Sequence, residues 1–179
     1  MARSTATIAA RLALAGTLAL SLSACFRPLY GPTPSGVPLA AMLASIQVDP
    51  AQTAAGQERL GHYLRSELVF DLDGAGQSAE KRYRLTLVAS EQVQTPIVSS
   101  ITGRAESATL IGTATYRVVT LDGSRTLTEG VAQGSATYDR SVQRFASVRA
   151  AREAEIRLAK VLADQIKTRI AAILATQAP

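Results

Sequence analysis

A run of three predicted strands in the second half of the chain constrains the fold more than any other feature. The three predicted strands are Arg82 to Val98, Glu106 to Leu121 and Arg125 to Tyr138. The first two show the two-residue alternation of a half-buried strand. Asp122-Gly123 joins the last two stretches, and Asp-Gly is typical of a two-residue hairpin turn because both central positions need a positive φ. Three strands joined by short turns predict an antiparallel sheet.

The alternation assigns a buried face to the first two of these strands. The apolar positions are Tyr83, Leu85, Leu87 and Ala89 in the first strand, and Leu110, Ala114, Tyr116 and Val118 in the second. A two-residue turn would place Val118 opposite Leu127. The third strand carries small residues on both sides, so its buried face stays open at this stage.

Two amphipathic helices flank the strands. Gln52 to Phe70 is predicted to be helical, with Leu60, Leu64 and Leu68 on one face. Phe145 to Ala175 is the longest helical pattern. Its predicted apolar stripe comprises Leu158, Leu162, Ile166, Ile170 and Ile173.

A short strand candidate, Ala44 to Asp49, precedes the first helix and completes the order β-α-β-β-β-α. Helices and a sheet with one apolar face must bury those faces against each other. We therefore predict an α+β fold, a two-layer sandwich in which two helices pack on one face of a mostly antiparallel four-stranded sheet. This single domain is expected to span residues 41–176.

The N-terminus predicts export and lipidation. Arg3 and Arg11 flank the start of an eleven-residue apolar run, Leu12 to Leu22, which suits a signal peptide but is too short to span a membrane. The run ends in Leu22-Ser23-Ala24-Cys25, which resembles a bacterial lipobox. We expect residues 1–24 to be removed and Cys25, the only cysteine of the chain, to carry acyl chains.

A tether is predicted between the anchor and the domain. Residues 25–40 contain Pro28, Pro32, Pro34 and Pro38, which disfavour a helix interior or a central strand. Residue 26 is Phe and not Asp, and the sorting rule of many Gram-negative bacteria then predicts the outer membrane. The expected location is lipid-anchored on the periplasmic side of that membrane.

The residues offer little for catalysis. His62 is the only histidine, and neither metal ligands at a suitable spacing nor a phosphate-binding glycine loop is present. We therefore expect no enzyme, no metal and no cofactor. The net charge of +5 is dispersed, and aromatics make up 4% of the chain, so nucleic acid is not an expected partner.

Several stretches resemble one family. Cys25-Phe26-Arg27-Pro28-Leu29-Tyr30 is similar to the Cys-Gly-Phe-Arg-Pro-Leu-Tyr start of alphaproteobacterial LptE lipoproteins, although the Gly after Cys is missing here. Ala136 to Ser141 and Arg144-Phe145-Ala146 also resemble that family, as does the predicted element order. The resemblance implies a lipopolysaccharide (LPS) translocon subunit that plugs and helps to assemble the LptD β-barrel.

The resemblance also implies contact with the phosphates of LPS, which arginine binds in a bidentate manner. Five arginines on strands or strand ends are candidates, with Arg104 favoured: Arg104, Arg82, Arg84, Arg117 and Arg125. The alternative function is a periplasmic carrier or transport-auxiliary lipoprotein that binds a lipid inside its own fold. A carrier would need apolar space between its layers, whereas a plug would have a solid core.

Overall fold

The computed structural model describes residues 36–74, 79–95, 103 and 105–176. These residues form three helices and five strands. The elements in chain order are α1 (Leu39–Ala44), β1 (Ile46–Val48), β2 (Gln52–Thr53), α2 (Glu58–Asp73), β3 (Tyr83–Gln94), β4 (Ser107–Thr120), β5 (Thr126–Asp139) and α3 (Arg144–Thr176).

The strands form one mixed sheet. The antiparallel ladder β3-β4-β5 makes up most of it, and β1 and β2 both pair in parallel with the other edge of β3. All three helices pack against the face that carries Leu85, Leu87 and Leu110. The predicted α+β sandwich is therefore confirmed.

The predicted number of elements was too small. The helix α1 was not expected, yet Leu39 and Leu43 at its two ends are buried in the core. The strand β2 occupies Gln52–Thr53, which was predicted to begin the first long helix. The helix α2 starts only at Glu58, after Gly56 turns the chain with a φ of +86°.

A glycine allows α2 to approach this extra strand closely. A Cβ at Gly61 would lie 2.8 Å from Cγ2 of Thr53 and 3.4 Å from Cβ of Ala51. The helix and the strand can therefore pack together only because position 61 has no side chain.

The β4–β5 hairpin differs from the predicted two-residue turn. Its loop spans 121–124 and is closed by a hydrogen bond from the Thr120 N–H to the Arg125 carbonyl, at 2.9 Å. A β-bulge follows, so that Val118 pairs with Thr128 and not with Leu127. The predicted register was wrong only beyond this bulge, where Leu127 is the additional residue, since Val119 still pairs with Thr126 as a two-residue turn would require. Within the loop, the Asp122 carboxylate accepts hydrogen bonds from the N–H and hydroxyl of Ser124.

The close packing of α3 identifies the buried face of β5, which the sequence left undetermined. Ala132 and Ala136 are buried under this helix. A Cβ at Gly112 would lie 2.8 Å from Cδ2 of Leu158, and a Cβ at Gly134 would lie 2.9 Å from Cγ1 of Val161. The small residues of β4 and β5 thus let the helix lie unusually close to the sheet.

The predicted stripe of α3 is confirmed except at its end. Leu158, Leu162, Ile166 and Ile170 are at most 1% exposed, and Leu174 continues the four-residue spacing. Ile173 is only partly buried because it lies one residue short of that spacing.

Candidate interaction surfaces

No helix among the described residues covers one face of the sheet. Side chains alternate along β3, β4 and β5, so every second residue points away from the core. Most of these outward residues are polar and uncharged: Thr86, Ser90, Gln92, Gln94, Thr109, Thr113, Thr115, Gln133, Ser135 and Thr137. We call this surface the open face.

Apolar side chains lie in the middle of the open face. Val88 is opposite Thr115, and Thr115 is in turn opposite Val131, so the three residues form one row across the three strands. Val88 is 52% exposed, Val131 44% and Ile111 36%. A surface of this kind offers hydrogen bonds around a small apolar centre, which is the usual pattern of a protein contact surface.

The edges of the sheet are covered by side chains that make the hydrogen bonds a neighbouring strand would make. The amide of Gln165 donates to the carbonyl of Gln133 at 2.8 Å and accepts from its N–H at 3.4 Å. Arg157 and Arg169 of the same helix donate to the carbonyls of Thr137 and Val131. Main-chain groups that would otherwise attract a further strand along this edge are thus occupied.

At the opposite edge of the sheet, a glutamine side chain covers the main chain in the same way. Beyond β2, the amide of Gln57 donates to the carbonyl of Glu91 at 2.9 Å and accepts from its N–H at 3.0 Å. Because both edges are blocked at these positions, the open face is better placed than the edges to receive a partner.

Four of the five arginines singled out from the sequence lie at the end of the sheet that carries the β4–β5 loop. Arg84 and Arg117 belong to the open face and are engaged: Arg84 lies 3.7 Å from a carboxylate oxygen of Asp49, and Arg117 lies 2.8 Å from one of Glu129. Within the described residues, Arg82 and Arg125 have no carboxylate within 4.0 Å. Arg104 and Cys25 lie outside the described residues.

The other end of the sheet carries an open cavity of about 820 Å³ that sequence reasoning missed. It lies between the end of β5 and the first turns of α3, and its lining includes Arg140, Arg144, Tyr138 and Val148. A second cavity, lined by Phe145, Arg149 and Arg152, shares Val148 with the first. The sequence feature that could have indicated these cavities is Phe145, an apolar residue that precedes the buried stripe of α3.

A buried carboxylate group links α3 to α2 and acts electrostatically on a carboxylate of β3. Glu155 of α3 is 5% exposed, and Arg59 of α2 binds its two oxygens through Nε at 2.9 Å and Nη2 at 2.6 Å. The pKa of Arg59 is raised by this hydrogen bond and by the charge of Glu155. The pKa of Glu91 is raised first by burial and then by the negative charge of Glu155, while Arg59 opposes the rise.

The described residues offer no site for a metal ion: no group of three or more His, Cys, Asp or Glu side chains could hold one. His62 is exposed on α2 and lies against the ring of Tyr63, with ring centroids 5.9 Å apart. In the part of the chain that the structure describes, no helix is long and apolar enough to cross a membrane.

The fold is a small α+β domain with an open sheet face and with side chains that occupy main-chain groups along both sheet edges. The model of the LptE family, described as lipopolysaccharide-assembly, matches residues 43–170. The chain therefore belongs to the LptE family and takes part in LPS assembly, as a non-enzymatic assembly factor.

One solved structure shares the fold, and a second is less similar. A candidate lipoprotein from Caulobacter crescentus CB15 is 24% identical, with a TM-score of 0.60 over 78% of this chain and 97% of that one. A minor lipoprotein from Acinetobacter baumannii is 14% identical, with a TM-score of 0.49 over 76% of this chain and 97% of that one. None of the curated proteins matches the chain.

Proposed function

We propose that this protein is the lipoprotein subunit of an outer-membrane LPS translocon, in which it plugs an LptD-type β-barrel and helps that barrel to assemble. The observation that carries the proposal is the open face, a long surface of mostly uncharged polar side chains around the row Val88, Thr115 and Val131. The wall of a barrel lumen is polar. Such a wall could therefore hydrogen-bond with the threonines and glutamines of this face.

The blocked edges support contact through the face. A partner that added a strand to this sheet would have to displace the side chains of Gln57 on one edge or Gln165 on the other. The open face needs no such rearrangement. Its outward residues already lie on regular strands, which is how a surface contributes to binding at low entropic cost.

The alternative, a carrier with a lipid between its layers, has less support. At Gly112 and Gly134 the helix α3 lies so close to the sheet that even one added carbon would collide with Leu158 or Val161. A lipid chain has no room between the layers at these positions. Close packing of this kind suits a plug, which needs a solid body.

The proposal includes anchoring through Cys25 and contact with LPS through the arginines. Acylation at Cys25, after removal of residues 1–24, would hold the domain at the periplasmic side of the outer membrane. The arginines proposed to contact LPS phosphates are Arg82, Arg84, Arg104, Arg117 and Arg125. Intact-mass measurement of the protein extracted from membranes tests the anchor, because three acyl chains give a mass well above that of the bare chain.

Affinity purification from detergent-solubilised outer membranes tests the barrel partnership. The tagged full-length protein should recover a large β-barrel protein in equal amount. Thr115→Arg, in the centre of the open face, should lose the barrel, whereas Ser66→Arg on the exposed side of α2 should retain it. Recovery of the lipoprotein alone, or with inner-membrane transporter subunits, would contradict the proposal and favour the carrier.

A further inference from the structure

The apolar row across the open face divides this face into two halves of different charge. We call it the central row: Val88, Thr115 and Val131. Between this row and the β4–β5 loop, the open face carries Arg84, Arg117 and Glu129. In the other half, the outward side chains up to the end of the β3–β4 ladder are uncharged: Ser90, Gln92, Gln94, Thr109, Ile111, Thr113, Gln133, Ser135 and Thr137. A partner avoids opposing like charges if it presents an uncharged surface to the charged half.

A second copy of this chain has that arrangement. When two copies face each other across a two-fold axis along the central row, each residue of the row meets its own counterpart. Residues at equal distances on the two sides of the row also meet. Arg84 of one copy lies opposite Gln92 of the other, and the twist of packed sheets turns the strands by only about 30°. Arg117 lies opposite Thr113, so no two like charges among these described residues meet, and each copy keeps its own ion pairs.

The paired area is sufficient for a weak dimer. The part of β4 from Thr109 to Thr120 is about 40 Å long, and three strands are about 14 Å across. Two such faces bury about 1,100 Å² in total, which lies at the lower end of specific protein interfaces. The area therefore predicts a dimer that a larger partner surface can displace.

Covering the open face leaves its polar groups with partners. The hydroxyl groups of Thr109 and Thr137 lie 2.9 Å apart and bond to each other, and the hydroxyl of Thr86 donates to the Arg117 carbonyl at 3.4 Å. Other hydroxyl groups of the face can rotate toward acceptors in a second copy. Pairing of two copies through their edges is hindered, because the side chains of Gln57 and Gln165 occupy main-chain groups there.

We propose that, in the absence of the barrel, two copies of this chain associate through their open faces about the central row. This inference rests on the proposed function and adds a regulation of the same surface: the second copy protects the face until the barrel displaces it. The barrel and the second copy use the same side chains, so the two complexes exclude each other.

Thiol crosslinking in membranes depleted of the barrel tests the position of the axis. Cysteines that replace Thr115 would face each other across two packed sheets, about 10 Å apart, so a bismaleimide of that length should join two copies. Cysteines that replace Thr109 would lie about 40 Å apart and should give no product. The wild type, whose only cysteine is Cys25, gives the background. Equal products from positions 109 and 115, or none above background from position 115, would overturn the proposal.

Charge variants test the same register without a crosslinker. Gln92 is eight residues from Arg84 along β3, so a charge at position 92 meets Arg84 only in a second copy. Gln92→Glu should tighten dimerisation of the full-length protein in detergent about fivefold, and Gln92→Lys should weaken it by a similar factor, because symmetry creates two such pairs. Sedimentation over a range of concentrations measures both. A change of the same sign in the two variants would overturn the proposed register.

The barrel separates this inference from the proposed function. Adding purified barrel protein should reduce the product from position 115, and a product that persists at full barrel occupancy would overturn the shared surface. If wild-type protein recovers the barrel but position 115 gives no dimer, the proposed function stands and the dimer fails. If position 115 gives the dimer but wild-type protein recovers no barrel, the dimer is supported and the proposed function fails.

Discussion

The side-chain amide of Gln165 lies against the main chain of Gln133 and makes the pair of hydrogen bonds that a neighbouring strand would make. The residue belongs to α3, so the longest of the described helices both covers the core and closes the edge of β5. An edge closed in this way resists pairing with other chains. It also directs partners toward the open face.

Replacing Gln165 with Ala should lower the free energy of unfolding by about 1 kcal/mol and increase self-association. The expected loss is small because exposed hydrogen bonds contribute modestly, while the unpaired edge of β5 becomes available to other chains. Urea unfolding and light scattering measure the two effects. Asp164→Ala, at the neighbouring exposed position, is the control, and identical behaviour of the two variants would contradict the role assigned to Gln165.

Replacing Gly112 with Val should destabilise the fold by about 1–3 kcal/mol, the usual cost of overpacking a core. The new side chain would meet Cδ2 of Leu158, 2.8 Å from the position of its Cβ. The matched control is Thr115→Val on the opposite face of the same strand, where valine is well tolerated. If both variants unfold at the same denaturant concentration, the helix does not lie as close to β4 as described.

Stability should depend on pH through Glu91. Burial and the charge of Glu155 raise the pKa of Glu91 in the folded protein above the ordinary value of a glutamate, so the folded state holds the proton more tightly than the unfolded state. The protonated carboxyl group therefore contributes to the free energy of unfolding below the pKa of the unfolded state, and this contribution is lost as the pH rises through the raised pKa of the folded state. One oxygen of Glu91 is buried without a hydrogen-bond partner among the described residues, which agrees with this direction.

Glu91→Gln should accordingly be more stable than the wild type at neutral pH, and the advantage should disappear in acid. Urea unfolding over a pH series from about 4 to 8 measures this difference. Glu80→Gln, at an exposed position just before β3, should leave the pH dependence unchanged. A Glu91→Gln variant whose stability follows the wild-type pH curve would contradict the assignment.

The arginines at the β4–β5 end should differ in their contribution to LPS binding. Arg82→Ala/Arg125→Ala should weaken binding more than Arg84→Ala/Arg117→Ala, because Asp49 and Glu129 already engage the second pair. Both double variants remove two positive charges, so each is the control of the other. Equal losses in a pull-down with LPS would indicate a general effect of charge and not specific contacts.

The long elements of this fold could be predicted from the sequence. The alternation of Leu85, Leu87 and Ala89 and the four-residue spacing from Leu158 to Ile170 are local patterns, and the structure confirms both. The short elements α1 and β2 could not be predicted in this way. Their residues gain their structure from contacts with the core and with β3, which no local pattern reveals.

The candidate surfaces were predictable only in part. The uncharged outward face of β3 and β4 follows from the alternation, and the arginine candidates follow from the resemblance to LptE. The edge contacts of Gln57 and Gln165 and the cavity at Arg140 and Arg144 depend on where separate elements meet. A bulge at Leu127 also shifted the hairpin register beyond Val119, and no local pattern in the sequence indicated it.

The central claim is that the open face contacts the barrel, and photo-crosslinking from position 115 in living cells tests it most directly. A photoreactive residue in place of Thr115 should crosslink to a large outer-membrane β-barrel protein that mass spectrometry can identify, and one in place of Ser66 on α2 should give far less of this product. Absence of the product from position 115, in a protein that still reaches the membrane, would contradict the account.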